Sequence, residues 1–293
     1  LKEIAILGAT ASGKTALSID LAEKLNANIL SLDSLSIYKE IDIASAKPTK
    51  EERGDIPHFG IDEIKVNEPF NVTIFFDLYK NAKQLSIKNN KNLIIVGGTS
   101  FYLKSMIEGI SPKPTISKKT KQKLKESLKD GYTIISQIDK EYALKISKND
   151  SYRIEKWLEI YYETKEIPSE YFKKNKKEPI IDDIKLFEID IPKDILRQRI
   201  ITRTNLMIKS GLIDEVCYLE KTYSRTPNPM KAIGIKETLD FLDGKITKEE
   251  LKEQISIHTA QLAKRQRTFN QTQFQEHFKG SVNEIKNKIL QEF

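Results

Sequence analysis

Residues 2–7 (KEIAIL) form a short apolar run that stops at a glycine, the pattern of a buried strand ended by a turn. Residues 15–25 place Leu17, Leu21 and Leu25 at helical spacing, and residues 28–32 give a second strand that ends at Asp33. A helical pattern over 72–87 follows the break at Pro69. Residues 93–96 (LIIV) are apolar at every position, as a central strand of a parallel sheet should be. That run leads into Gly97–Gly98–Thr99 and a helix toward Glu108. Strands alternating with helices, with a glycine-rich turn after the first strand, predict a doubly wound α/β core.

The pattern changes at Ser111–Pro112–Lys113–Pro114. From 117 to about 171 only helical spacing is present, with Asp150–Ser151 suited to cap a helix over 152–163. Strand character returns at 183–190, and the last long helix spans 248–274, with Leu251, Ile255, His258, Thr259 and Leu262 on one stripe. The expected organisation is a catalytic core of residues 1–116 and 178–293, interrupted by an all-helical insertion at 117–177.

Charge sharpens this division. The chain of 293 residues carries 49 basic and 42 acidic side chains, a formal net charge of +7. Residues 113–177 hold 17 of the basic and 10 of the acidic ones, so the rest of the chain is neutral. A localised excess suits a polyanionic partner such as nucleic acid, and equally a lysine-rich solvated surface. The single cysteine, Cys217, excludes an internal disulfide and a cysteine-only zinc site. His58 and His277 lack partners at metal-ligand spacing. No apolar run approaches a membrane span, and the opening LKEIAILGAT is too short in its apolar part for a signal peptide. A cytoplasmic protein without membrane contact or an obligate protein partner is expected.

The strongest chemical signal is Gly8-Ala9-Thr10-Ala11-Ser12-Gly13-Lys14-Thr15, which fits G-x-x-x-x-G-K-[ST] between a strand and a helix. The core is therefore expected to be a P-loop-type parallel sheet flanked by helices. Backbone amides of such a loop wrap a diphosphate, Lys14 adds a point charge, the Thr15 hydroxyl is placed to ligate Mg²⁺, and the helix N-terminus adds its positive end. The strand-end acid that often accompanies this motif is missing after LIIV, where Gly97-Gly98-Thr99 follows. Asp33 ends another strand instead. Strand C-termini of a parallel sheet share one crevice, so Asp33 and Thr99 are expected to face the cradle. Asp33 there reads as a general base or metal ligand, or as a turn cap, which Asp-Ser also suits.

Several blocks together resemble the tRNA dimethylallyltransferases, also called tRNA isopentenyltransferases. They are Gly8 to Thr15, Asp33 to Lys39 with Asp42 to Pro48, Val96 to Tyr102, Arg199 to Met207, Ala232 to Glu237 and Leu262 to Thr268. They run in the family's order and cover nearly the whole chain. The resemblance implies that residues Gly8, Thr10, Ala11, Ser12, Gly13, Lys14 and Thr15 hold dimethylallyl diphosphate with Mg²⁺. The acceptor would be N6 of adenosine 37, beside the tRNA anticodon. Asp33 would be the general base or orienting carboxylate, Thr99 would bond near the leaving oxygen, and Arg203 would clamp the diphosphate with Lys14. The insertion would grip the anticodon stem-loop. Contacts to tRNA would come from Asp33, Ser34, Leu35, Ser36, Arg153, Lys156, Lys231, Lys236, Lys264 and Arg265.

Some positions depart from the family pattern. Ala9 replaces Pro, Ser36 replaces a frequent Gln, and Glu40 and Ala44 replace glycines. Lys156 replaces an Arg and so loses its fork, while Ile235, Ala260, Phe269 and Gln271 stand for an aromatic, an Arg, a Trp and an Arg. The donor site is thus expected to be intact and the RNA contacts near the last long helix thinned. Tyr152, Trp157, Tyr161 and Tyr162 could stack on bases, although helical spacing favours core. Two rival enzymes use the same cradle. An adenylate isopentenyltransferase would not need an extended basic surface, and a small-molecule kinase would want the missing strand-end acid.

Overall fold

The computed structural model describes residues 1–175, 178–181, 183–274 and 276–293. Lys176 and Lys177, at the end of the basic segment, lie outside them. The first stretch runs β1 (Glu3–Gly8), α1 (Lys14–Lys24), β2 (Ala27–Leu32), α2 (Lys50–Arg53), β3 (His58–Phe59), α3 (Val72–Lys88), β4 (Asn92–Gly97) and α4 (Ser100–Glu108). Helices α5 (Lys118–Ser127), α6 (Gly131–Ile138), α7 (Lys140–Ala143), α8 (Ser151–Thr164) and α9 (Pro168–Lys174) follow. The chain then forms β5 (Lys185–Ile189), α10 (Lys193–Lys209), α11 (Leu212–Tyr223), α12 (Ile235–Leu242), α13 (Lys248–Gln273), β6 (Phe278–Gly280) and α14 (Val282–Glu292).

The six strands make one sheet in the order β3-β2-β4-β1-β5-β6, with every pairing parallel. Its four central strands are the apolar runs of the sequence. They are buried because helices cover both faces. Leu17 and Leu21 of α1 and Ile285 and Ile289 of α14 pack on Ile4, Ile6, Ile29 and Ile94. α3 lies against β2 and β4 and buries Phe75, Phe76 and Tyr79. A further cluster joins Ile37 and Ile41, after β2, to Leu212, Val216, Leu239, Leu251 and Ile255 of α11, α12 and α13. The register sets Leu7 and Leu32 on either side of Gly97, so β1, β2 and β4 end level with one another. The edge strands β3 and β6, of two and three residues, carry no apolar pattern of their own and are formed by pairing to β2 and β5.

The chain divides into a unit of Leu1–Ser105 with Ile181–Phe293 and a unit of Met106–Ile180. The ends of the smaller unit are tied by a hydrogen bond from Ile180 N to Met106 O at 2.8 Å. This unit is helical and has its own core of Leu124, Ile135, Ile154, Trp157, Leu158 and Tyr162. Asp150 caps α8 by accepting from Arg153 N at 3.0 Å. Asp139 accepts from Trp157 Nε1 and from Ser169 Oγ, which pins α8 and α9 to the same carboxylate. Trp157 and Tyr162 are thus core, and Tyr161 stacks on Trp157 at 5.1 Å, while Tyr152 remains 68% exposed.

Candidate active site

The turn after β1 wraps back on itself, with Ser12 N donating to Ala9 O and Ala11 and Gly13 at φ of 66° and 95°. That positive φ suits Gly13 and lets α1 begin directly at Lys14 with no side-chain cap. The first-turn amides of α1 therefore have no intrahelical partner and are suited to meet an anion. Ser12 Oγ is buried and makes no hydrogen bond among the described residues, as expected of a donor waiting for a ligand. Thr15 is exposed at the start of the same helix.

Lys14 Nζ donates to Ala9 O at 2.7 Å, which lays its stem across the turn. Burial holds its pKa down at about 8, Arg203 pushes the same way, and Asp33 opposes both. Arg203, on α10, is likewise lowered by burial, with Asp33 opposing, and its Nη2 donates to Ser45 O at 3.5 Å. Two cations and one carboxylate therefore sense one another across a small space. One turn before Arg203, Arg199 donates to Ser12 O at 3.3 Å.

Asp33 follows β2. Its Oδ1 accepts from Leu35 N at 2.8 Å and Ser36 N at 3.2 Å, so the turn-cap role is real. Its Oδ2 makes no hydrogen bond among the described residues, leaving half of the carboxylate for chemistry. Thr99 N donates to Leu32 O at 3.0 Å, which sets Thr99 beside Asp33. Tyr102, one turn on, is pushed up to about 12, by burial first and then by Tyr38 and Asp33.

Lys14, Asp33, Thr99, Arg199 and Arg203 line one cavity of about 1260 Å³. It takes in residues 10–15, 33–36, Thr99, Arg203 and Lys231, and continues along Met207, Ala232, Ile233, Ile255 and Leu262. One end is thus cationic and amide-lined and another is apolar. Lys236, Lys264 and Arg265 are exposed and lie outside the lining. Arg153 and Lys156 belong to the smaller unit, where Arg153 pairs with Asp150 and Lys156 with Glu155 and Glu159.

Three residues that shape the cavity were not among the expected site residues. Glu215 of α11 accepts from the amides of Asp42, Ile43 and Ala44 at 2.7–2.9 Å and so fixes the loop that presents Ser45. Lys47 is nearly buried, donates to Tyr38 O and Lys39 O, and pairs with Asp42 and Asp62, so it staples that loop. Gln266 of α13 bridges the turns after β1 and β4. Only Gln266 and Lys47 lie in motif blocks, and sequence spacing does not say what either touches.

Fold and site together define a parallel α/β protein with a glycine-rich turn after β1 and an acid after β2, the strand on the far side of β4. The family model described as IPP transferase matches residues 36–273. A tRNA dimethylallyltransferase of Aliarcobacter butzleri is 54% identical over 293 residues, covering 100% of this chain and 99% of that protein. The crystal structure of a tRNA delta(2)-isopentenylpyrophosphate transferase from Staphylococcus epidermidis superposes with TM-score 0.71 at 31% identity, covering 100% of this chain and 98% of that one. A eukaryotic dimethylallyltransferase captured acting on tRNA gives TM-score 0.75 at 29% identity, over 92% of this chain and 70% of that one. The chain belongs to the IPP transferase family.

Proposed function

We propose that this chain transfers the dimethylallyl group of dimethylallyl diphosphate to N6 of adenosine 37 in tRNA, in the cytoplasm, releasing diphosphate. The observation that carries this reading is the single cavity that joins the cradle, Lys14 and Arg203 to Asp33 and to an apolar wall. Its volume of about 1260 Å³ exceeds the roughly 300–1,000 Å³ of a pocket for one small ligand, leaving room for a donor and a nucleoside together.

The chemistry follows from the placement. The C1–O bond of the donor breaks and its electron pair leaves with the diphosphate. The charge that builds there meets Lys14, Arg203 and the first amides of α1, which are already in position. The N6 lone pair forms the new bond to C1, and the N6 proton passes to Asp33 Oδ2. An amino group conjugated to adenine is a weak nucleophile, so holding it between Asp33 and Thr99 contributes by orientation as well as by proton removal. The base must leave its stack to enter the cavity.

Among the described residues no three His, Cys, Asp or Glu side chains form a metal cage. The donor set instead fits Mg²⁺ held by diphosphate oxygens, the Thr15 hydroxyl and water, since this ion keeps much of its hydration. Bound there, it would neutralise leaving-group charge. In the smaller unit, α5 exposes Lys118, Lys119, Lys121, Lys123 and Lys125, and these suit the phosphates of an anticodon stem-loop.

The test is incubation with dimethylallyl diphosphate and unmodified tRNA, or with adenosine monophosphate, followed by nucleoside mass spectrometry. Prenylated adenosine from the tRNA reaction alone is expected. Product from the free nucleotide alone would overturn the tRNA reading, and no product from either would overturn the transfer.

A further inference from the structure

Gln266 touches both walls of the cavity with one carboxamide. Its Oε1 accepts from Thr10 N at 2.9 Å, and its Nε2 donates to Gly98 O at 3.2 Å. The amide orientation is fixed by its partners, because Thr10 N can only donate and Gly98 O can only accept. Thr10 lies in the turn that cradles the diphosphate. Gly98 precedes Thr99, whose amide in turn holds Leu32 O, next to Asp33. A continuous path of hydrogen bonds and peptide links therefore runs from the leaving-group wall, through Gln266, to the acceptor wall.

The neighbouring residue is fitted to this bridge. A Cβ on Gly98 would stand 2.2 Å from Gln266 Nε2 and 3.1 Å from its Cδ, so only glycine admits the carboxamide at this distance. The Thr10 amide is committed to Gln266 and thus anchors the cradle. Two loops at the ends of adjacent strands are held at one separation by a residue on α13.

We propose that Gln266 is a positioning residue that sets the spacing between the diphosphate cradle and the Asp33–Thr99 wall, and so the distance over which the allyl group is transferred; this rests on the transfer reaction proposed above. Misplacing reacting groups by about 1 Å costs on the order of 10²-fold in rate. The bridge therefore acts on kcat more than on either KM.

Two variants test it. Gln266→Met loses both hydrogen bonds at similar volume. Gln266→Glu, when ionised, keeps the acceptor for Thr10 and repels Gly98 O. When protonated it offers the same donor and acceptor pair as the glutamine. Gln266→Met should lower kcat by roughly 10- to 100-fold, with KM for donor and tRNA changed by less than about threefold. The kcat of Gln266→Glu relative to wild type should rise as pH falls from about 8 to about 5, toward the carboxyl's own range, while the relative kcat of Gln266→Met stays flat. Packing alone would not give the glutamate variant this pH signature. A Gln266→Met kcat within about twofold of wild type, or a flat ratio for Gln266→Glu, would overturn the bridge. Should Gln266→Met fail to fold, the glutamate profile decides alone. Should the wild type transfer nothing, the transfer reading fails by itself, and hydrogen exchange of the Thr10 amide, which donates to Gln266 Oε1, still reads the bridge. The methionine variant, or Gln266→Leu if methionine does not fold, should then exchange that amide at least about tenfold faster than wild type, and equal exchange would overturn the proposal.

Discussion

Lys14 is the cation whose charge state the site controls. Its pKa of about 8 means that the ammonium is charged below that pH and neutral above it. An anion binds the charged form better, so pyrophosphate affinity should be full near pH 7 and fall as pH rises through about 8. Titration calorimetry of wild type and Lys14→Met checks this, since the variant keeps only the ligand's own titration. Identical pH profiles would remove Lys14 from the anion site. Lys14→Ala should also cost about 10²–10³ in transfer rate at saturating donor, the usual loss for one positioned donor to a developing charge. Asp33 has two roles that substitution can separate. Asp33→Asn keeps an oxygen for the amides of Leu35 and Ser36 but cannot take a proton, whereas Asp33→Ala loses the turn cap as well. Single-turnover transfer by Asp33→Asn should fall by roughly 10²–10⁴-fold, with tRNA affinity nearly unchanged. A matching loss of affinity would make Asp33 a binding group.

At the scale of elements, β4 and β2 approach each other closely where they end at the site. A Cβ on Gly97 would lie 2.2 Å from Leu32 O, a backbone atom that cannot rotate away. Gly97→Ala should therefore push β4 from β2 and lower stability by about 1–3 kcal/mol, read as a reduced urea midpoint. A wild-type midpoint would show that the sheet end yields more than close packing allows. The same elements show what can be read from the chain. β1, β2, β4 and β5 are apolar runs, and α1, α3, α8 and α13 carry helical spacing, so local pattern announces them. β3 and β6 exist only through their neighbours and leave no such mark. The site divides in the same way. The cradle and Asp33 are legible because their chemistry is carried by a contiguous motif or a strand end. The Thr10–Gln266 contact joins residues 256 apart, and the Glu215 contacts span more than 170, so spacing says nothing about either.

For the whole molecule, the distribution of charge separates two tasks. The excess of positive charge lies in 113–177, while the glycine-rich turn and the proposed donor site belong to the other unit. Some of that charge is spent internally, as Lys113 and Lys156 pair with Glu159 and Lys174 with Glu166. Lys118, Lys119, Lys121 and Lys125 of α5 are exposed and make no ion pair among the described residues. Replacing these four by alanine should reduce the salt slope of tRNA binding by roughly 0.7–0.9 per lost phosphate contact and leave pyrophosphate affinity as it was. An unchanged slope would make α5 ordinary solvated surface.

If one cavity brings an allylic diphosphate to a single adenosine of tRNA, the position of the added group should show it. The protein is incubated with dimethylallyl diphosphate and two transcripts, one with adenosine at position 37 and one with guanosine there, and the added group is located by mass spectrometry of ribonuclease fragments. One added dimethylallyl group is expected, confined to the fragment that holds adenosine 37, and none on the guanosine transcript. Equal modification of both transcripts, or a group added elsewhere in the tRNA, would contradict it.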